Sequence, residues 1–325
     1  MQNNTVVCPV DHVKQTFSFD RSDLDPVLQY LENNEPLPVT NLVFPVGTVT
    51  TDGRLDMCKQ QLGVEGTQLV TAALLQNTQI KHILMGTNAF GNPGAQAVAD
   101  LVAVNNTIET VYLGCNYIEQ AGAQALCEAL SGNQSVRSMW LKRNPIGSHS
   151  MENIVQLLQQ NPHLRTLDLV NTCVGEGFLT LLEYLKKNTT VERLYLSGNY
   201  LTADMMVPVS DMLMENKHLK SLFLSVNNIG DKGVAHLMRG LKQNTTLEQL
   251  SLSSCGIEAE GMQLLHDLLR TRPYLKWVDL SYAPSTKALG AKGNLPLHLS
   301  AMKDFPASPD NFTHPDSKAI KSVYR

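Results

Sequence analysis

Residues 191–201 read VERLYLSGNYL, an apolar-x-x-apolar-x-apolar-x-x-Asn-x-apolar pattern carried by Val191, Leu194, Leu196, Asn199 and Leu201. Two apolar residues separated by one share a face of an extended chain, so the middle of this stretch is a short strand. The same pattern recurs as LDMCKQQL from residue 55, ILMGTNAF from 83, VYLGCNYI from 111, MWLKRNPI from 139, LDLVNTCV from 167, LYLSGNYL from 194, LFLSVNNI from 222 and LSLSSCGI from 250. The spacing is 28 residues, except for the fifth unit, which has 27. A second apolar set follows each strand at helical spacing, as Leu126, Ala129 and Leu130 in one unit and Leu237, Gly240 and Leu241 in another. Neither a three-residue strand nor one amphipathic helix can bury its apolar face alone. Stacking the units in parallel gives one continuous core, so the expected fold is a curved α/β solenoid with a parallel β-sheet on the concave face and α-helices on the convex face.

Asn88, Asn116, Asn144, Asn199 and Asn227 occupy the position just after the strand, where Gln60, Thr172 and Cys255 substitute. A side chain with both donors and acceptors can satisfy the backbone groups freed where a strand bends into its loop, so this ladder reads as structural. The whole pattern resembles the leucine-rich repeats of the ribonuclease-inhibitor class, over roughly residues 39–282. That class includes ribonuclease inhibitor, the GTPase-activating protein of Ran, the sensing regions of NOD-like receptors and tropomodulin-like actin regulators. What the resemblance implies is a horseshoe-like repeat fold and protein binding; a fold does not choose among such functions.

Three segments follow. Residues 1–54 read as an N-terminal capping segment: a helix over Ser22–Leu31 with Ser22 or Asp23 as N-cap, then Val39, Leu42 and Phe44 repeating the strand signature as a half repeat. The Asp-Gly signal in PVGTVTTDGR suggests a hairpin against that strand. Residues 55–282 are the repeat array, eight units and a final strand through Leu275, Val278 and Leu280. Residues 283–325 have no sustained periodicity and are a cap, a lid folded back over the concave face, or a flexible tail. Pro208 falls where other units have helix, so the sixth helix must start late or kink.

Composition narrows the function. A net charge of −4 gives no electrostatic footprint for nucleic acid or an anionic membrane. No apolar run approaches 18 residues and no signal-peptide pattern opens the chain. Six cysteines without a C-x-x-C pair read as reduced thiols, which points to the cytoplasm. Asn-x-Ser/Thr triplets at Asn105, Asn133, Asn188 and Asn244 recur at one place in the repeat and read as turn chemistry. There is no phosphate loop, zinc spacing or nucleophile elbow, so the expectation is no enzyme, no metal and no cofactor.

The informative pattern is the residue between the two core positions of each strand, which points to the concave surface. That column reads Asp56, Leu84, Tyr112, Trp140, Asp168, Tyr195, Phe223, Ser251 and Asp279. At about 4.8 Å between strands, Leu84 to Phe223 span on the order of 25 Å. The expectation is a solvent-facing aromatic stripe interrupted by Asp168, flanked by Lys142, Arg143 and Arg193, and extended by Trp277 and Tyr282. Tyrosine and tryptophan bordered by arginine is the composition that dominates binding energy at protein interfaces. The sequence therefore predicts a protein-binding adaptor or inhibitor that captures a protein on its concave face, with Arg143, Arg193 and Asp168 setting orientation. The alternatives are a GTPase-activating regulator working through the loop rim, against which stands the lack of an acidic tail, and a bacterial effector aimed at a host protein. The oligomeric state is left open.

Overall fold

The computed structural model describes residues 13–272, 274–281 and 314–324. They fall into two compact units: an N-terminal unit of residues up to 167 with 172–174 and 314–324, and a C-terminal unit of 168–171 and 175–281. The N-terminal unit holds α1 (Arg21–Glu32), β1 (Leu42–Val43), β2 (Thr48–Val49), β3 (Arg54–Asp56), α2 (Gly63–Leu74), β4 (His82–Leu84), α3 (Gly91–Val104), β5 (Thr110–Tyr112), α4 (Gln120–Gly132), β6 (Ser138–Trp140) and α5 (Ser150–Gln160). Strand β7 (Thr166–Asp168) falls at the division. The C-terminal unit continues with α6 (Gly177–Leu185), β8 (Arg193–Tyr195), α7 (Met206–Glu215), β9 (Ser221–Phe223), α8 (Gly230–Gln243), β10 (Gln249–Ser251), α9 (Ala259–Thr271) and β11 (Trp277–Asp279). A last helix, α10 (Pro315–Ala319), belongs to the N-terminal unit.

One repeat is one step of the parallel sheet. In the N-terminal unit Leu55 pairs with Ile83, Ile83 with Val111 and Val111 with Met139. In the C-terminal unit Leu194 pairs with Leu222, Leu222 with Leu250 and Leu250 with Val278. The central residue of each strand and the helix residues Leu126, Leu130, Leu237 and Leu241 are buried, so each unit is a stretch of α/β solenoid cored between sheet and helices.

Two asparagine ladders hold the turns. Asn116 Nδ2 donates to the carbonyls of Met85 and Leu113, and its Oδ1 accepts from the Asn88 and Ala89 amides, so one side chain closes groups of two successive repeats. Asn144 does the same to Leu113, Leu141, Asn116 and Ile118, and in the C-terminal unit Asn227 serves Leu196, Leu224, Asn199 and Leu201. Cys255, standing in for asparagine, donates its thiol to Leu224 O. The second ladder sits at the other end of the repeat, where each helix stops. Asn105, the C-cap of α3, donates to Leu74 O and Asn77 O of the preceding repeat and accepts from the Thr107 and Ile108 amides. Asn133, Asn161, Asn216 and Asn244 repeat the arrangement, so the triplets at Asn105, Asn133 and Asn244 are places in this ladder; at Asn188 the Oδ1 accepts the Thr190 and Val191 amides in the same way, while the Nδ2 donates to Thr190 Oγ1.

The N-terminal segment departs from the sequence reading. The N-cap of α1 is Asp20, whose carboxylate accepts the Ser22 amide at 2.9 Å, rather than Ser22 or Asp23. Strand β1 is not a half repeat: it runs antiparallel to β2, which runs antiparallel to β3, and Val39 is 97% exposed. Of the apolar residues in and beside it, Phe44 finds a partner in the Tyr30 ring of α1, with ring centres 5.6 Å apart, while Val39 and Val43 stay in solvent. Pro208 lies in the first turn of α7, where a missing N–H is tolerated, and α7 starts late, at Met206.

Replacing Asn116 by Leu leaves the buried amides of Asn88 and Ala89 without their acceptor, while the carbonyls of Met85 and Leu113 keep only the donors Asn88 and Asn144. Each orphaned group costs about 1–3 kcal/mol, so a loss of at least 2 kcal/mol in urea denaturation is expected. An unchanged midpoint would show that the ladder is not what closes the turn.

Candidate protein-binding face

The side chains pointing away from the helices form three columns. In the N-terminal unit the first holds Arg54, His82, Thr110, Ser138 and Thr166, and the second Asp56, Leu84, Tyr112 and Trp140. The third, just past the strands, holds Cys58, Gly86, Gly114 and Lys142. The first column is knitted by hydroxyls: His82 Nδ1 lies 2.9 Å from Thr110 Oγ1, and Ser138 donates to Thr110 at 3.1 Å. Tyr112 lies down over the two glycines. A Cβ at Gly86 would fall 2.4 Å from Tyr112 Cε1, and one at Gly114 would fall 3.0 Å from Lys142 Cγ and 3.1 Å from the tyrosine hydroxyl. Lys142 Nζ stands 5.4 Å from the Tyr112 ring centre.

Across this face lies the end of the chain. Arg54 Nη1 donates to the carbonyls of Lys318 at 3.3 Å and Lys321 at 2.5 Å, while its Nε is held by Asp52 at 3.0 Å. Asp56 is fixed by the Cys58 amide and accepts from Ser322 Oγ at 3.1 Å and from the Val323 amide at 2.6 Å. Thr48 and Tyr324 share a hydrogen bond of 2.6 Å between their hydroxyls. At the other end Thr166 donates to the Asp316 carboxylate. The segment is therefore bonded to β2 and β3 at one end and to β7 at the other. A cavity of about 220 Å³ remains beside it, lined by Cys58, Tyr112, Lys142, Ile320 and Tyr324 among others. Burial pushes the Cys58 thiol up to about 12, with the Asp56 charge adding to it, so this cysteine is not a thiolate. Tyr324 is likewise raised by burial, although its bond to Thr48 opposes this.

In the C-terminal unit the corresponding side chains pack on one another. The Tyr195 and Phe223 rings are parallel, 2° apart, with centres 4.0 Å apart. The Arg193 guanidinium lies 5.7 Å and 5.4 Å from those ring centres and donates to the Tyr195 hydroxyl at 2.7 Å. It also reaches Ser221 and Gln249, each at 3.3 Å. Asp168 accepts the Val170 amide at 2.8 Å.

The expected solvent-facing stripe needs correction. Leu84 is 0% exposed, Trp140 3% and Phe223 4%, and Asp168, Arg193 and Trp277 are buried as well. Tyr112, Lys142 and Tyr195 are half-buried; Arg143 is exposed, on a loop at a left-handed φ of 57°. In the N-terminal unit the chain end lies over the strands that carry Leu84 and Trp140. In the C-terminal unit stacked rings and a guanidinium cover each other. Tyr282 lies outside the described residues. Arg54, Asp56, Thr48 and Thr166 escaped the reading as a site because charged and hydroxyl residues at the first or last position of a strand look like a solvated edge.

Four stretches, residues 104–127, 160–176, 215–238 and 243–265, match the family model described as Leucine Rich repeat. In those stretches the repeated unit matches a leucine-rich repeat. Among solved structures the chain is similar to the actin-binding site 2 of leiomodin-1, at 22% identity over 43% of this chain and 82% of that one, with a TM-score of 0.35. It is also similar to the tropomodulin C-terminal domain of Caenorhabditis elegans, at 12% identity over 51% and 93%, with a TM-score of 0.41. No curated protein matches the chain. Among the described residues no helix is long and apolar enough to cross a membrane, and no group of three or more potential metal-ligating side chains occurs.

Because Trp140 is buried, Trp140→Ala should cost about 3–5 kcal/mol of folding stability. A urea midpoint equal to wild type would contradict that burial. His82 is held below its ordinary pKa mainly by burial, against the pull of Glu109 and Asp52. Below about pH 6.5 the unfolded chain binds a proton there that the folded one does not, so stability must fall as the pH drops through that range. The loss of melting temperature between pH 7.5 and 5.5 should be smaller in His82→Gln than in wild type, which differential scanning calorimetry can read.

Proposed function

We propose that this is a non-enzymatic leucine-rich-repeat protein, of the long-unit kind typified by ribonuclease inhibitor, that binds a protein partner on its sheet face as an adaptor or inhibitor. The observation that carries this reading is the polypeptide segment already seated on the face of the N-terminal unit. Arg54 donates to its carbonyls and Asp56 accepts from one of its amides, so the face addresses main-chain groups that every protein has. Of the side chains left half-exposed or exposed beside it, Tyr112 and Arg143 are of the types that anchor interfaces, and Lys142 adds a positive charge. In the C-terminal unit the half-buried Tyr195, braced by Arg193 and Phe223, offers a rigid aromatic edge. Leu84, Trp140, Asp168 and Phe223 enter this reading as the floor on which the exposed groups stand. No cofactor is part of it. The cytoplasm suits it, since buried thiols such as Cys127 and Cys255 stay reduced there.

The test is a comparative pull-down from lysate with the wild-type chain and a Lys142→Glu/Arg143→Glu/Tyr195→Ala variant, after matching far-UV circular dichroism. A partner held by the wild type and reduced at least tenfold with the variant supports the sheet face. Equal retention moves the partner to the helical face or the loops.

A further inference from the structure

Residues 314–324 are not a generic cap. A cap for a solenoid covers the open end of its core, but this segment lies on the sheet face, and its fixings are specific and unequal along its length. Its carboxylate at Asp316 meets a hydroxyl of β7. Its carbonyls at the end of α10 meet a guanidinium, the charge that suits a helix C-terminus. Its Ser322 hydroxyl and Val323 amide meet one carboxylate from two sides. Val323 is 45% exposed, and the apolar share of the contact is small, a buried Ala319 and a half-buried Ile320, so the segment is held mainly by main chain and short polar groups. Contacts of this kind can be exchanged for those of another peptide without opening the hydrophobic core beneath.

We propose that the sheet face of the N-terminal unit is a peptide-binding site and that residues 314–324 are its resident, displaceable ligand. This inference rests on the functional reading above and names the chemistry of the partner. The peptide that fits is one with a carboxylate for Thr166, a helical turn whose terminal carbonyls meet Arg54, and a serine-type hydroxyl followed by a free amide for Asp56. Because the resident segment belongs to the same chain as the repeats, its binding is intramolecular and does not depend on protein concentration. A partner peptide must outcompete that, so the segment sets a threshold for binding.

The experiment uses the full chain. In a Ser322→Ala/Val323→Pro variant the hydroxyl and the amide that meet Asp56 are gone, while the receiving face is intact. Hydrogen exchange of the C-terminal peptide should be at least tenfold faster in the variant than in wild type. A fluorescent synthetic peptide of residues 312–325 should bind the variant at least tenfold more tightly than wild type by anisotropy. Adding Asp56→Asn, or Arg54→Gln should that substitution impair folding, should abolish the binding. Equal exchange in wild type and variant overturns the proposal, since the segment is then not held by these bonds. Faster exchange without peptide binding overturns it too. A wild-type dimer that becomes monomeric in the variant, seen by light scattering, overturns the intramolecular form by placing the segment on a second copy. The synthetic peptide requires no outside partner, so its failure leaves the pull-down result standing, and a failed pull-down leaves the peptide result standing.

Discussion

The structure depends on buried carboxamides bonded to main chain. A strand of only three residues must turn at once into a loop, and the turned peptide groups face a dry interior where each unmade hydrogen bond is expensive. Asparagine solves this with one short side chain. Asn144 donates both amide hydrogens to carbonyls of successive repeats and accepts two amides on its oxygen, so it belongs to two turns at once. Asn133 and Asn161 do the same where the helices end. With the turn fixed in this way at both ends of repeats such as those of Asn116 and Asn144, the spacing between strands leaves little freedom, and the period stays close to 28 residues.

That rigidity determines what the sheet face can be. Strands in register place column residues at neighbouring positions about 4.8 Å apart, too close for large side chains to stand independently. They lie down instead. Tyr112 tilts over Gly86 and Gly114, and Tyr195 stacks flat on Phe223. A stacked pair gains about 0.5–1.5 kcal/mol and removes the facing sides of its rings from water. An aromatic column on a parallel sheet is thus partly self-covering before any partner arrives.

The repeat, its strands and its helices were legible because their signal is local: alternation over three residues, then helical spacing, recurring eight times. The first asparagine ladder was legible for the same reason, and the second showed only as glycosylation-like triplets because helix C-caps have no apolar signature. Other features were not local. The edge position of β1, which leaves Val39 in solvent, depends on which strands pair. The covering of the strands that carry Leu84 and Trp140 depends on a segment more than 170 residues away in sequence, whose residues HPDSKAIKSVY carry no periodicity that points to a sheet. Nor does Asp56 announce itself, since an acidic residue at a strand end is usually solvated.

Arg54 and Asp56 make the most consequential pair on that face. They are two residues apart on one strand, so they share its outer side with opposite charges a short distance apart. A peptide main chain presents carbonyls and amides in alternation, and a cation beside an anion matches that alternation without regard to side chains. Here the guanidinium takes carbonyls of Lys318 and Lys321 and the carboxylate takes the amide of Val323. Discrimination then has to come from elsewhere: from Thr166 at one end, from Thr48 and the cavity by Tyr112 at the other, and from the helical turn that must fit between them. Main-chain contacts supply affinity and these outer positions supply choice, so the spacing of the acidic and hydroxyl groups decides which segment this face accepts.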